Sequence, residues 1–121
     1  MSVSLYLGIA LLGGFGAAIR VLLEAKLSSA AGAVFPVGTL VVNLLGALLL
    51  GLLVGVGISG ALLLLLSLGL LGSFTTFSTW MLQSYSLAGR GMNRLAVLNI
   101  GLSLAAGLLA VWLGDSLGSL I

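Results

Sequence analysis

Cysteine and histidine are both missing from this sequence, and only 6 of its 121 residues are charged. Without thiol or imidazole there can be no disulfide, no thiolate nucleophile, no imidazole base and none of the usual zinc or haem ligand sets. Most enzyme classes fall with them, and the chain is read as a non-enzyme. Charge is scarce as well: a soluble domain carries about a quarter of its residues as Asp, Glu, Lys and Arg, against 5% here. The four cations, Arg20, Lys26, Arg90 and Arg94, are too few and too scattered for a nucleic-acid footprint.

What replaces charge is hydrocarbon. Hydrophobic residues make up 61% of the chain, and no formal charge occurs from Leu27 to Gly89. A helix through that whole stretch would run ~95 Å, about three times a ~30 Å bilayer core, so the chain must turn back within it. The expected partner of the surface is therefore lipid, and the expected location is a cell membrane, plasma or inner, crossed several times. No Lys or Arg precedes the first apolar run and no small-residue cleavage site follows it, so that run is expected to be a retained span.

Four apolar segments stand out, Val3 to Leu23, Phe35 to Val56, Gly60 to Leu87 and Arg94 to Leu113. Each is near the ~20 residues a spanning helix needs. Runs such as Leu62 to Leu66 lack the strict alternation of barrel strands. The fold expected is an all-α membrane protein of one four-helix domain, with short links at Leu27 to Ala33, Gly55 to Gly60 and Gly89 to Asn93. Pro36 sits where a second helix would begin, a position that tolerates a missing N–H.

The third segment is unlike the rest. Gly69, Gly72, Ser73, Thr75, Thr76, Ser78 and Thr79 crowd its middle, the depth at which a lipid environment is least able to serve polar groups. Irregular backbone is tolerated there only when protein or a polar cavity surrounds it. The pattern predicts a broken helix at an ion site. All four cations lie at the ends joined by the first and third links, so the positive-inside rule places those links in the cytoplasm and both termini outside. Arg20 weakens that bias if it points into a cavity.

Several polar side chains fall on helix faces. Thr39, Asn43 and Gly46 share one face of the second helix, and Asn99, Ser103, Ala106 and Ala110 share one face of the fourth. Such amides and hydroxyls serve either as interhelical hydrogen-bond partners or as donors to a permeating ion. On the first helix Gly13, Gly16, Ala17 and Arg20 align; Arg20 could snorkel, pair with Glu24, or line an anion entrance. Gly51 and Gly55 form a GxxxG read as packing. Phe77 and Trp80, three apart after the break, are either core or rings whose positive edges solvate an anion.

Three strings together resemble the CrcB/Fluc family of fluoride channels: Gly13-Gly14-Phe15-Gly16-Ala17-Ala18-Ile19-Arg20, Phe35-Pro36-Val37-Gly38-Thr39 leading to Asn43 and Gly46, and Gly72 through Thr79. The resemblance implies a dual-topology dimer of two antiparallel subunits with two fluoride pathways and a central structural sodium ion. It also implies passive export of fluoride that has entered as its neutral weak acid and become trapped on ionising. By position, Gly72 and Thr75 resemble the residues whose carbonyls hold sodium. Phe77 matches the first ring of the fluoride path, Asn43 the pore amide, Ser78 and Thr79 a track of hydroxyls, and Arg20 the vestibule arginine. Thr39 is expected near the path; Ser103, with Asn99, follows from stripe geometry alone.

Two features depart from the family pattern. Trp80 stands where a second Phe is usual, which implies either a reshaped pore or one impaired pathway. The one-sided cations would fix orientation, which suits one half of a heterodimer with an oppositely oriented paralogue as well as a homodimer. Two other classes fit the composition. A small four-span drug exporter needs a carboxylate deep in the membrane, yet Glu24 and Asp115 lie at helix ends. A noncatalytic scaffold subunit leaves the broken third segment unexplained.

Overall fold

The computed structural model describes residues 2–31 and 34–121, and among them all regular structure is helical. Four helical stretches are long and apolar enough to cross a membrane: Val3–Ser29, Val37–Val56, Gly60–Gly89 and Asn93–Ser119. The first helix runs on through Val3–Ala31, beyond the expected end at Leu23. Its extension, Glu24 to Ala31, holds no Gly or Pro to stop it. The expected link from Leu27 to Ala33 is thus mostly helical, and its residues 32 and 33 lie outside the described residues.

Glycine shapes the other two turns. Gly57 adopts φ 91°, and the amides of Gly57 and Ile58 return to the carbonyls of Val54 and Leu53. Gly91 repeats the device at φ 77°, with Gly91 and Met92 donating to Ala88 and Leu87. Both are left-handed caps that satisfy carbonyls which a helix end would leave bare. Pro36 precedes the first residue of the second helix, Val37.

The second and fourth helices interlock through glycine. A Cβ on Gly51 would overlap the Val111 carbonyl, and one on Gly114 the Leu48 carbonyl. Gly55 meets Asp115 and Gly118 meets Leu52 in the same way. The GxxxG of the second helix is therefore matched by Gly114 and Gly118 on the fourth. Close backbone approach of this kind supplies the van der Waals contact that lipid cannot outcompete.

The third helix is interrupted, as the sequence predicts. An α-helical start (Gly60–Leu64) widens into π-helical turns (Leu65–Leu71) and ends in one further turn (Gly72–Phe74). Thr75 and Thr76 are extended, at φ −84°, ψ 160° and φ −146°, ψ 123°. A second half-helix then resumes over Phe77–Gly89. Hydroxyls bond back to carbonyls that the widening loosens: Ser67 to Leu63 at 2.6 Å, Ser73 to Gly69 at 2.8 Å, and Thr75 to Leu71 at 3.0 Å. Such side-chain bonds compete with the regular ladder and stabilise departures from it.

Gly51→Val should lower unfolding stability in detergent by about 1–3 kcal/mol, because its new atoms must displace a backbone carbonyl. Gly107, whose Cβ position is open, provides the comparison. Gly107→Ala should leave the same unfolding midpoint unchanged or raised.

Candidate site at the broken third helix

Two side chains from different helices hold the break. Asn43, on the second helix, takes Thr76 by both ends of its amide: the Thr76 N–H donates to Asn43 Oδ1 at 2.8 Å, and Asn43 Nδ2 donates to the Thr76 carbonyl at 3.0 Å. A carboxamide thus mimics the strand partner that extended backbone normally requires. From the first helix, Arg20 Nε donates to the Ser73 carbonyl at 3.1 Å, near the end of the helical half that stops there. Cations at helix C-termini are favoured by the exposed carbonyl dipoles.

Glycines let those helices come close enough. A Cβ on Gly16 would overlap the Leu70 carbonyl and the Ser73 hydroxyl; one on Gly46 would overlap Thr75 Cγ2. Arg20 Nη1 also stands 3.8 Å from Glu24 Oε2, and Glu24 Oε1 accepts from Thr39 at 3.5 Å. Thr39 is 2% exposed, held between the first two helices and not gathered around the break with Asn43.

The interruption leaves two ends of opposite polarity. On the carbonyl side, Thr75 N–H goes to Leu71 and Thr76 N–H to Asn43, so neither amide that would ordinarily serve the Gly72 carbonyl is directed at it. Thr79 N–H goes to Thr76 Oγ1 at 3.2 Å, away from the Thr75 carbonyl. Backbone oxygens of this sort suit a hard cation. On the amide side, Thr76 caps the second half-helix, and its hydroxyl meets Thr79 Oγ1 at 3.1 Å and Ser78 Oγ at 3.4 Å. A helix N-terminus with hydroxyls about it favours an anion.

A cavity of about 510 Å³ opens beside these groups, lined by Asn43, Gly46, Ser67, Gly72 and Thr75 with Leu68 and Leu71. A second, more polar recess of about 210 Å³ lies toward the basic end, between Ser28, Phe35, Gln83, Ser86 and Arg90. Gln83 Oε1 is buried without a hydrogen-bond partner, and so is Ser103 Oγ on the fourth helix.

The two rings part company. Their centroids are 5.6 Å apart at an interplanar angle of 83°, but Phe77 is 70% exposed and Trp80 only 9%. Trp80 Nε1 donates to the Asn99 carbonyl at 3.0 Å. Asn99, 1% exposed, is thereby part of the contact between the third and fourth helices. Reading the sequence alone passed over Thr76 as a cap and Ser73 as an acceptor for arginine. A threonine three residues ahead of Thr79 at a helix start is a capping signal; nothing local marks the Ser73 carbonyl.

Asn43→Ala should leave the Thr76 amide without its acceptor. Hydrogen exchange at that amide is expected to rise roughly 10- to 100-fold, as loss of one buried bond implies, while exchange in the Gly51 turn of the second helix stays the same.

A family model described as CrcB-like protein, Camphor Resistance (CrcB), matches residues 7–115. A "Fluoride-specific ion channel FluC 2" of Mycolicibacterium paratuberculosis is 40% identical over 120 residues, covering 99% of this chain and 98% of the relative. Two proteins of Symbiobacterium thermophilum are also similar. Its "Fluoride-specific ion channel FluC 2" is 44% identical, covering 91% of this chain and 94% of the relative, and its "FluC 1" is 45% identical, covering 88% and 90%. These matches run through all four helices and the break in the third, and the chain belongs to the CrcB family of multi-pass membrane proteins.

Proposed function

We propose that this protein is a fluoride channel that lets the ion leave the cytoplasm passively. It is a channel and not an enzyme, in keeping with the names of its relatives. The observation that carries the fluoride reading is the convergence, at one membrane depth, of a half-helix N-terminus, the hydroxyls of Ser78 and Thr79, and Asn43. An amide nitrogen has two protons. One of those on Asn43 Nδ2 goes to the Thr76 carbonyl, which leaves the other for an anion. Phe77, exposed on the same turn, would offer its positive ring edge. Ser103, with a buried and unpartnered hydroxyl, would extend the track along the fourth helix. Conduction needs donors that replace water and still release the ion, and neutral hydroxyls, amides and ring edges meet both demands.

The path is incomplete in one subunit. Asn43, Ser67, Gly72 and Thr75 line a recess open on one side, where hydrocarbon would leave the Gly72 carbonyl and the second Asn43 amide proton unserved. A second, antiparallel copy would close it and bring a second set of Gly72 and Thr75 carbonyls to the first. Those oxygens fit a central sodium ion, which would supply a fixed positive charge tying the two subunits together. Two equivalent pathways would follow from the symmetry.

Arg20 would stand in the vestibule with its Nε already committed to Ser73. The exposed Lys26, Arg90 and Arg94 would supply the field that draws anions to that end, screened within ~8 Å at physiological ionic strength. The same three cations favour a second reading of the assembly, in which a fixed orientation pairs this chain with an oppositely inserted paralogue. Purified alone in liposomes, the protein should release fluoride and not chloride to an ion-selective electrode. Flux that appears only after a paralogue is added would select the heterodimer, and no fluoride flux in either case would refute the channel reading.

Three substitutions test the residues. Asn43→Asp replaces the donor to Thr76 with a second acceptor and puts a like charge in the path, so fluoride flux should fall at least 100-fold, a barrier increase of about 2.7 kcal/mol. Phe77→Ala should cut flux while the dimer survives size-exclusion. Arg20→Lys keeps the charge but not the planar fork, and should lose flux as fully as Arg20→Ala at both low and high salt; a purely electrostatic role predicts that Lys substitutes for Arg.

A further inference from the structure

We propose that Trp80 is a positioning residue whose indole N–H is tied to the fourth helix, and that Phe77 is the one ring of the pair that meets the ion. The inference rests on the fluoride reading above and sharpens it at the ring pair after the break.

An indole has a single donor and no acceptor. That donor is spent inside the protein, on the Asn99 carbonyl at 3.0 Å. Around it lies a closed network: Asn99 Nδ2 donates to Ser84 Oγ at 2.8 Å and stands 3.5 Å from the Trp80 carbonyl, and Ser84 Oγ donates to that carbonyl at 2.9 Å. Ser84 is 4% exposed and Asn99 1%, so neither water nor lipid headgroup can substitute for a lost partner. A fluoride ion that took the indole proton would strip the Asn99 carbonyl of its donor within a buried network, where unmet groups are costly.

The tether also determines where the ring lies. Trp80 is anchored at its nitrogen and packed to 9% exposure, and Phe77 stands perpendicular to it at 5.6 Å. Perpendicular contact is the favoured arrangement for a pair of ring quadrupoles. With one ring fixed, the plane of the other follows. Phe77 keeps 70% of its surface free. A phenylalanine at position 80 could pack but could not be anchored, since it has no N–H.

The test uses the full chain carrying Trp112→Phe, which removes the other, exposed tryptophan and leaves one indole to observe. In lipid nanodiscs, the ¹⁵N–¹H signal of Trp80 Nε1 should be protected from deuterium exchange and unshifted across a fluoride titration, while ring signals of Phe77 move with fluoride and not with chloride. A saturable fluoride-dependent shift of the Trp80 indole proton, or its rapid exchange, would overturn the proposal. Trp80→Phe supplies the second arm: the Phe77 ring signals should broaden and fluoride flux should fall several-fold with helix content intact. Native flux with unaltered Phe77 signals would also overturn it. Proteoliposome flux of the Trp112→Phe protein separates the two levels. Absent flux with a protected indole counts against the channel reading, whereas full flux with a fluoride-sensitive indole counts against the tether alone.

Discussion

Hydrocarbon cannot hydrogen-bond, so a helix that stops inside a bilayer must find partners for its freed backbone groups within the protein. The organisation around Thr75 and Thr76 follows from that requirement. Asn43 meets Thr76 on both its N–H and its carbonyl, Arg20 meets the Ser73 carbonyl, and the hydroxyls of Ser73, Thr75 and Thr76 cover further groups on either side. Glycines 16 and 46 exist in this context to let two other helices reach the break. What remains uncovered is polar: carbonyl oxygens on one side, amides and hydroxyls on the other.

Two ends of opposite polarity therefore meet at the interruption. The carbonyl end of the first half-helix attracts cations and the amide end of the second attracts anions. Arg20, at the Ser73 carbonyl, is the one formally charged residue bonded to the break among the described residues. In a chain with 6 charges, none of them between Leu27 and Gly89, the dipoles of these helix ends would let ions be met in the middle of a membrane. On the fluoride reading, exposed Lys26, Arg90 and Arg94 would draw anions to the surface, and the backbone, hydroxyl and amide dipoles would act within.

Much of this was legible in the sequence. Leucine runs bounded by glycine turns identified four helices, and Gly, Ser and Thr concentrated in a single span located the break. Partners across helices were another matter. The spacing of Thr39 and Asn43 placed them on one face, yet only the fold revealed that Asn43 reaches Thr76 while Thr39 turns to Glu24. Gly51 and Gly55 were visible as a motif, but their counterparts Gly114 and Gly118 are about sixty positions away in the chain. Trp80 read as a ring for the path or as a departure that reshapes or impairs it; that its indole nitrogen is bonded to a backbone carbonyl on another helix is visible only in the fold. Side-chain chemistry can be read locally; its assignment to a partner is a tertiary property.

The central claim is that the Asn43 amide keeps the third helix open at Thr76 and that conduction depends on it. The most direct measurement replaces the Thr76 peptide N–H by an ester oxygen, which deletes the donor to Asn43 Oδ1 and leaves every side chain in place. Fluoride flux should fall sharply, and Asn43→Ala should cost less in the ester protein than in the native one, because the two changes remove the same contact. Native flux in the ester protein, or fully additive losses, would contradict the account.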